Sequence, residues 1–169
     1  LDRIFEKEMA PPGSSAVQER ITQRGGMANV ANKRDNACWL DGSLITMADG
    51  SARRIEQIRV GDQVATYDPE SRRSGKAWVR FITREPTTNG VVPAVPLGIT
   101  GHARLTKNHP VLQKGSYRWA GDLASMQYYQ SQYVYNMMLD GDHHVWSDGL
   151  LCVTIGHGLS PHYPLHVGC

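Results

Sequence analysis

The sequence from Leu44 onward is broken into short strand-like runs separated by turn signals. Two of these runs end at Asp49-Gly50 and Asp68-Pro69, and both dipeptides are typical of turns. No long segment has the period of an amphipathic helix, and residues 54–60 are long enough for only one helical turn. This pattern predicts an all-β domain, with strands at residues 44–47, 63–67, 78–82, 101–105 and 132–139.

The composition is that of one globular domain with a weak net charge. The 169 residues are 40% hydrophobic, which is enough for a single core and short for two domains. A net charge of +2 gives no electrostatic basis for binding nucleic acid. No apolar run approaches the roughly 20 residues that cross a bilayer. We therefore expect a monomer that binds neither nucleic acid nor a membrane.

The first 37 residues differ in character from the rest of the chain. They contain the run Pro11 to Ser15, the pair Gly25-Gly26 and scattered charges, with one helical pattern at residues 16–24. We predict that residues 1–37 are a linker or the tail of an upstream domain. Residues 38–160 are then the folded domain, and residues 161–169 are a C-terminal tail.

Cys38 and the segment from Thr106 to His109 supply a thiol, a hydroxyl and an imidazole. The other cysteines are Cys152 and Cys169, and the three fit neither a disulfide framework nor a CxxC zinc or redox motif. Taken singly, a buried cysteine is more often a small hydrophobic side chain, and a Thr-x-x-His sequence arises by chance. The combination of Cys38 with Thr106 and His109 indicates a catalytic site only together with the segments that flank these residues.

Several segments, in order along the chain, resemble one known family. Residues 37–51 and 54–64 resemble the opening block of the Hint domain, the fold shared by inteins and the C-terminal part of Hedgehog proteins. The later blocks match residues 105–112, 119–123 and 134–140. Residues 151–158 are most similar to Vint-type Hint domains, which occur in proteins that carry a von Willebrand A domain. The resemblance implies a Hint fold of two pseudo-twofold-related β subdomains, and a weak repeat between residues 55–62 and 119–123 agrees with it.

The resemblance also implies a reaction at the Ala37–Cys38 peptide. In this family the cysteine attacks its own preceding carbonyl, and an N-to-S acyl shift turns the peptide into a thioester. Because an amide is resonance-stabilised, the shift needs catalytic groups. The match assigns Thr106 to the carbonyl oxygen, through its hydroxyl and backbone N–H, and His109 to proton delivery to the departing amine.

Two further positions carry weaker assignments. Asn136 lies where many inteins and Hedgehog domains have an aspartate, and an asparagine cannot act as a general base. Asp140 and Asp142 are alternatives, although a solvated loop is the more typical place for both. His143 and His144 adjoin each other, and because neighbouring side chains in a strand point to opposite faces, only one of them can face the site. The resemblance favours His143, which falls where the family often carries a histidine in its penultimate strand.

No metal or cofactor is expected. Zinc bound by Cys38 and these histidines is chemically conceivable, since thiolates and imidazoles are good zinc ligands, but no spacing in the sequence demands it.

The end of the domain indicates which reaction follows the acyl shift. Splicing inteins end in His-Asn, whose asparagine cyclises, but here Val153 and Thr154 stand at those positions. Threonine cannot form the succinimide. We therefore expect a single-turnover, cysteine-dependent self-cleavage rather than splicing. Its substrate is the domain's own upstream polypeptide, and water or a small thiol or amine opens the thioester.

Other interpretations remain open at this point. Cys152 is either a second nucleophile or a core side chain, and its apolar neighbours favour the core. His157 lies between two glycines, which is typical of a turn. Lipid transfer of the Hedgehog type would need a following apolar segment that residues 159–169 do not provide. The remaining alternative is a catalytically degenerate Hint module, with Cys38 inert, that acts in protein interaction.

Overall fold

The computed structural model describes residues 37–155. The helical pattern at residues 16–24, His157, residues 1–36 of the predicted linker and the predicted C-terminal tail therefore lie outside the described residues. None of the described helices is long and apolar enough to cross a membrane.

The described residues form an all-β domain, which confirms the predicted class. Two single 3₁₀ turns, at Ile55–Gln57 and Ala120–Asp122, are the helical segments within this range. The thirteen strands are β1 (Trp39–Leu40), β2 (Leu44–Thr46), β3 (Ala52–Arg54), β4 (Gln63–Asp68), β5 (Arg73–Pro86), β6 (Val91–Leu97), β7 (Ala103–Leu105), β8 (Pro110–Gln113), β9 (Ser116–Trp119), β10 (Gln127–Gln130), β11 (Tyr133–Leu139), β12 (His144–Ser147) and β13 (Leu150–Val153).

β5 is much longer than the predicted strand at residues 78–82. Its first half pairs with β4 and its second half pairs with β11, so one continuous strand serves two partners. The register of β5 with β11 shifts between Met138 and Leu139, which marks a β-bulge. The short apolar run in the sequence is the part of this strand where the two pairings meet.

β1 lies near the middle of the largest sheet. That sheet has seven strands in the order β10-β6-β7-β1-β11-β5-β4. Trp39 pairs with Leu105 of β7 on one side and with Tyr135 of β11 on the other. The segment just after β7 therefore lies on one side of the residues before Trp39, and β11 lies on the other side.

The smaller sheets complete the domain. β12, β13, β8 and β9 form a four-stranded sheet in that order, and β2 pairs with β3. Asp148 and Gly149 join β12 to β13 with φ of 50° and 82°. Two central residues with positive φ fit the tight hairpin turn for which Asp-Gly is favoured. This hairpin directs β13 back along β8, toward the segment that contains His109.

The core joins these sheets, and the two 3₁₀ turns are built alike. Each turn buries its first residue, Ile55 or Ala120, in the same hydrophobic cluster as Trp39 and Met137. In each turn, the N–H of the residue directly after the turn donates to the carbonyl oxygen of the turn's first residue. The weak repeat in the sequence thus corresponds to two similar turns that pack on one core.

Candidate active site

The Ala37–Cys38 peptide is buried. Ala37 is 2% exposed, Cys38 is 1% exposed, and the next residue, Trp39, is fully buried. Every polar atom of this peptide must therefore be satisfied by the protein rather than by bulk water.

Asn136 is the hydrogen-bond donor on the carbonyl side of this peptide. Its Nδ2 donates to the Ala37 oxygen at 2.7 Å, within a fully buried environment. The amide orientation is fixed, because Asn136 Oδ1 accepts from the Met137 N–H at 2.8 Å and must therefore point away from the carbonyl. Thr83 Oγ1 in β5 accepts from the Asn136 backbone N–H at 3.0 Å and holds this part of β11. The side chain is thus preorganised to donate to the oxygen of Ala37.

Thr106 lies on the nitrogen side of the same peptide. The Cys38 N–H donates to Thr106 Oγ1 at 2.9 Å, and the Thr106 N–H donates to the Cys38 carbonyl oxygen at 3.0 Å. Thr106 directly follows β7, which pairs with β1, so the sheet itself sets these distances. The predicted contact with the Ala37 carbonyl is therefore made by Asn136, while Thr106 contacts the nitrogen of the bond.

Thr106 and His109 are the first and last residues of one tight turn. The His109 N–H donates to the Thr106 carbonyl oxygen at 3.0 Å, which is the hydrogen bond of a β-turn. The turn is braced by residues 120 and 121, whose N–H groups donate to His109 and Lys107. A Cβ on Gly121 would lie 2.9 Å from Lys107 Cβ, so this close approach requires glycine. The block at residues 119–123 thus holds the Thr-x-x-His turn in place.

The imidazole of His109 is fully buried and neutral. Its Nε2 lies 2.9 Å from the Val153 carbonyl oxygen. Because a carbonyl can only accept, Nε2 carries the hydrogen and Nδ1 carries a lone pair. Burial lowers the pKa of His109 from 6.5 to about 4, and polar contacts with the backbone of Val153 and Cys38 offset only part of this effect. Nδ1 is buried and makes no hydrogen bond of ordinary geometry.

Cys38 is disulfide-bonded in this structure. The cysteine spacing did not predict this bond, because spacing indicates local motifs and not contacts made by the fold. A cavity of about 250 Å³ lies beside Cys38 and is also lined by Thr106 and Glu85. Sequence reasoning missed Glu85, since a charged residue near the end of a long strand carries no signal of its own.

His143 lies in a different place from the one predicted. It lines a separate cavity of about 900 Å³ together with His144, and Cys38 does not line that cavity. Strand alternation does not apply to His143, because β12 begins at His144 and His143 precedes the strand. Burial lowers the pKa of both imidazoles, that of His144 to about 4. His144 Nε2 lies 2.8 Å from the Tyr117 hydroxyl.

The structure does not bring the other candidates to the peptide. Cys152 is fully buried in the hydrophobic core, and burial raises the pKa of its thiol. Thr154, at the position of the intein asparagine, is buried as well. Asp140 accepts from the Trp78 N–H, and Asp142 accepts from the Thr66 hydroxyl. Within residues 37–155, no group of three or more His, Cys, Asp or Glu side chains is arranged to hold a metal ion.

Comparison with known proteins identifies the family and the fold of this chain. A family model described as Vint, a Hint domain, matches residues 37–166. The fold is similar to the Ssp DnaB mini-intein variant M86, with a TM-score of 0.57 and 13% identity over 70% of this chain and 95% of that chain. It is similar to a bacterial intein-like domain from Clostridium thermocellum, with a TM-score of 0.56 and 21% identity over 69% and 97% of the two chains. A DnaB intein from Synechocystis sp. PCC 6803 gives a TM-score of 0.57 and 14% identity over 70% and 98%.

None of the curated proteins compared with this chain matches it. At these identities the similarity to solved structures concerns the fold, and the Hint fold expected from the sequence is confirmed. The family model covers well over half of the sequence, so this chain belongs to the Vint family of Hint domains.

Proposed function

We propose that this domain cleaves its own chain at the Ala37–Cys38 peptide through a thioester. Membership of the Hint family supports self-processing in general. One observation carries the specific reaction: a single buried peptide has Asn136 Nδ2 at 2.7 Å from its oxygen and Thr106 Oγ1 at 2.9 Å from its nitrogen. The oxygen that gains negative charge and the nitrogen that gains a proton in an acyl shift therefore each have a fixed polar partner.

The first step is attack by Cys38 on the carbonyl carbon of Ala37. Because the nucleophile is the thiolate, the reaction starts from the reduced form of Cys38. The thiol proton passes to the lone pair on His109 Nδ1 as the carbon–sulfur bond forms. Negative charge then develops on the Ala37 oxygen, where Asn136 Nδ2 already donates a hydrogen bond. A preorganised donor in a buried site stabilises such an oxyanion strongly.

The second step breaks the bond between the Ala37 carbon and the Cys38 nitrogen. His109 returns its proton to this nitrogen, which leaves as the free α-amine of Cys38. Burial lowers the pKa of His109 to about 4, so its protonated form is a better proton donor than an ordinary imidazolium. Thr106 Oγ1 keeps the N–H of Cys38 oriented during the change. The products are a thioester on Cys38 and a free amine on the same residue.

The third step opens the thioester and releases the upstream polypeptide. Val153 and Thr154 provide no asparagine at the end of the domain, and the Val153 carbonyl is already engaged with His109. Water or a small thiol or amine therefore acts as the acceptor, and the chain is cleaved rather than spliced.

The test is intact mass of the purified chain in tris(2-carboxyethyl)phosphine, which reduces Cys38 without attacking thioesters. Addition of dithiothreitol is expected to release a fragment that ends at Ala37. Cys38→Ala is expected to remain intact, while Cys152→Ala is expected to cleave like the parent. An unchanged mass of the reduced parent after prolonged incubation with dithiothreitol would support the inert interaction module instead.

A further inference from the structure

The cavity beside Cys38 contains one carboxylate. Its walls are largely apolar, with Val91, Val92, Val134 and two prolines, and its polar side includes Cys38, Thr106 and Glu85. Its volume of about 250 Å³ exceeds the roughly 30 Å³ share of one water molecule several times. An acceptor nucleophile can therefore enter next to the sulfur that carries the acyl group.

Strand register explains how Glu85 reaches this cavity. Glu85 of β5 pairs with Val134 of β11, and Thr83 pairs with Asn136 two residues further along. Residues two apart in a strand share a face, so Glu85 follows Thr83 on the face that holds Asn136. Val134 in turn pairs with Leu40 of β1, which follows Cys38 closely. The Oε2 atom of Glu85 is buried, although the residue as a whole is partly exposed.

Opening a thioester with water requires a base. Water is a weak nucleophile, and a positioned base accelerates its attack by typically 10²- to 10⁴-fold. Asn136 cannot accept a proton in this role. His109 is fully buried and does not line the cavity. Among the described residues that line it, Glu85 has the one carboxylate.

We propose that Glu85 is the general base for the step that opens the thioester, an inference that rests on the proposed cleavage at Cys38. Water in the cavity attacks the Ala37 carbonyl carbon, and its proton passes to the Glu85 carboxylate. The carbon–sulfur bond then breaks, and Glu85 returns the proton to the Cys38 sulfur. The products are the Ala37 carboxylic acid and the Cys38 thiol, with Glu85 restored.

The experiment separates hydrolysis from thiolysis in the full chain. Cleavage is followed by intact mass in tris(2-carboxyethyl)phosphine alone, where water is the acceptor, and after addition of dithiothreitol, whose thiolate needs no base from the protein. In Glu85→Gln we expect hydrolysis to slow about 100-fold or more, with thiolysis within about twofold of the parent and a longer-lived thioester. Glu85→Asp is expected to recover part of the hydrolysis. The matched control Glu70→Gln, on an exposed loop outside this cavity, is expected to leave both rates unchanged.

Each other outcome counts against the proposal. Equal slowing of hydrolysis and thiolysis in Glu85→Gln would assign a structural role to Glu85. Unchanged hydrolysis in Glu85→Gln would exclude it as the base. Absence of thiolysis in the parent chain would overturn the proposed cleavage itself, and the general-base role with it.

Discussion

Substitution of Asn136 is the sharpest test of the reaction proposed at the Ala37–Cys38 peptide. Asn136→Ala removes the donor that lies 2.7 Å from the Ala37 oxygen and leaves no described side chain in its place. Removing one donor from a preorganised oxyanion site lowers rates by about 100- to 1,000-fold, equivalent to about 3–4 kcal/mol. The short distance and the burial of Asn136 at 1% exposure favour the upper part of that range.

Asn136→Asp sharpens the test, because it keeps the shape of the side chain and replaces the Nδ2 donor with an oxygen that accepts. One carboxylate oxygen still accepts from the Met137 N–H, while the other faces the Ala37 oxygen. Burial next to another acceptor raises the pKa of this carboxyl. Its protonated form regains a donor, so the cleavage rate of Asn136→Asp is expected to increase as pH falls. At neutral pH it is expected to be as slow as Asn136→Ala.

The assay is the first-order rate of fragment release with excess dithiothreitol, followed by intact mass. Near-ultraviolet circular dichroism of each variant checks that the fold is kept. Thr66→Val is the matched control, since Thr66 is buried and its hydroxyl donates one hydrogen bond, to Asp142, and neither residue lines the cavity beside Cys38. Faster cleavage of Asn136→Asp than of the parent at neutral pH would refute the donor role of Asn136, because a base and not a donor is then needed there.

Two further predictions concern buried titratable groups. The pKa of His109 is lower in the folded chain than in the unfolded chain, so its contribution to stability is present above pH 6.5 and is lost as pH falls toward 4, by roughly 3 kcal/mol. The free energy of urea unfolding is therefore expected to depend more steeply on pH in this range for the parent than for His109→Gln. Equal pH dependence of the two chains would contradict a neutral buried imidazole. Burial also raises the pKa of the Cys152 thiol, so iodoacetamide is expected to alkylate this thiol only after unfolding. Rapid labelling of Cys152 in the folded Cys38→Ala chain would count against its burial.

The part of the fold that sequence predicted well is local. Asp49-Gly50 and Asp68-Pro69 marked the ends of strand-like runs, and β2 and β4 lie close to the predicted residues. The turn from Thr106 to His109 closes on its own backbone, so four residues are enough to define it. The predicted strand at residues 78–82 was too short because a strand extends as far as its partners do. Those partners, β4 and β11, are set by the whole sheet.

The structure brings Asn136 and Thr106 to the Ala37–Cys38 peptide, and His109 contacts the backbone of Cys38. The catalytic roles of these residues stay predictions. The sequence could not reveal that Asn136 donates to Ala37, because the two residues are 99 positions apart. Nor could it place His143, since alternation applies only inside a strand and β12 begins one residue later.

The sequence by itself determined the all-β class, the family and the residue that carries the thiol, because strand periodicity, turn dipeptides and motif order are encoded in short segments. The tertiary structure alone decided which partner each atom of the Ala37–Cys38 peptide has, that Cys152 is in the core, and that Glu85 shares a cavity with Cys38. The physical reason is that a side chain's chemistry depends on burial and on hydrogen-bond partners. In a sheet that places β1 between β7 and β11, those partners come from distant parts of the chain.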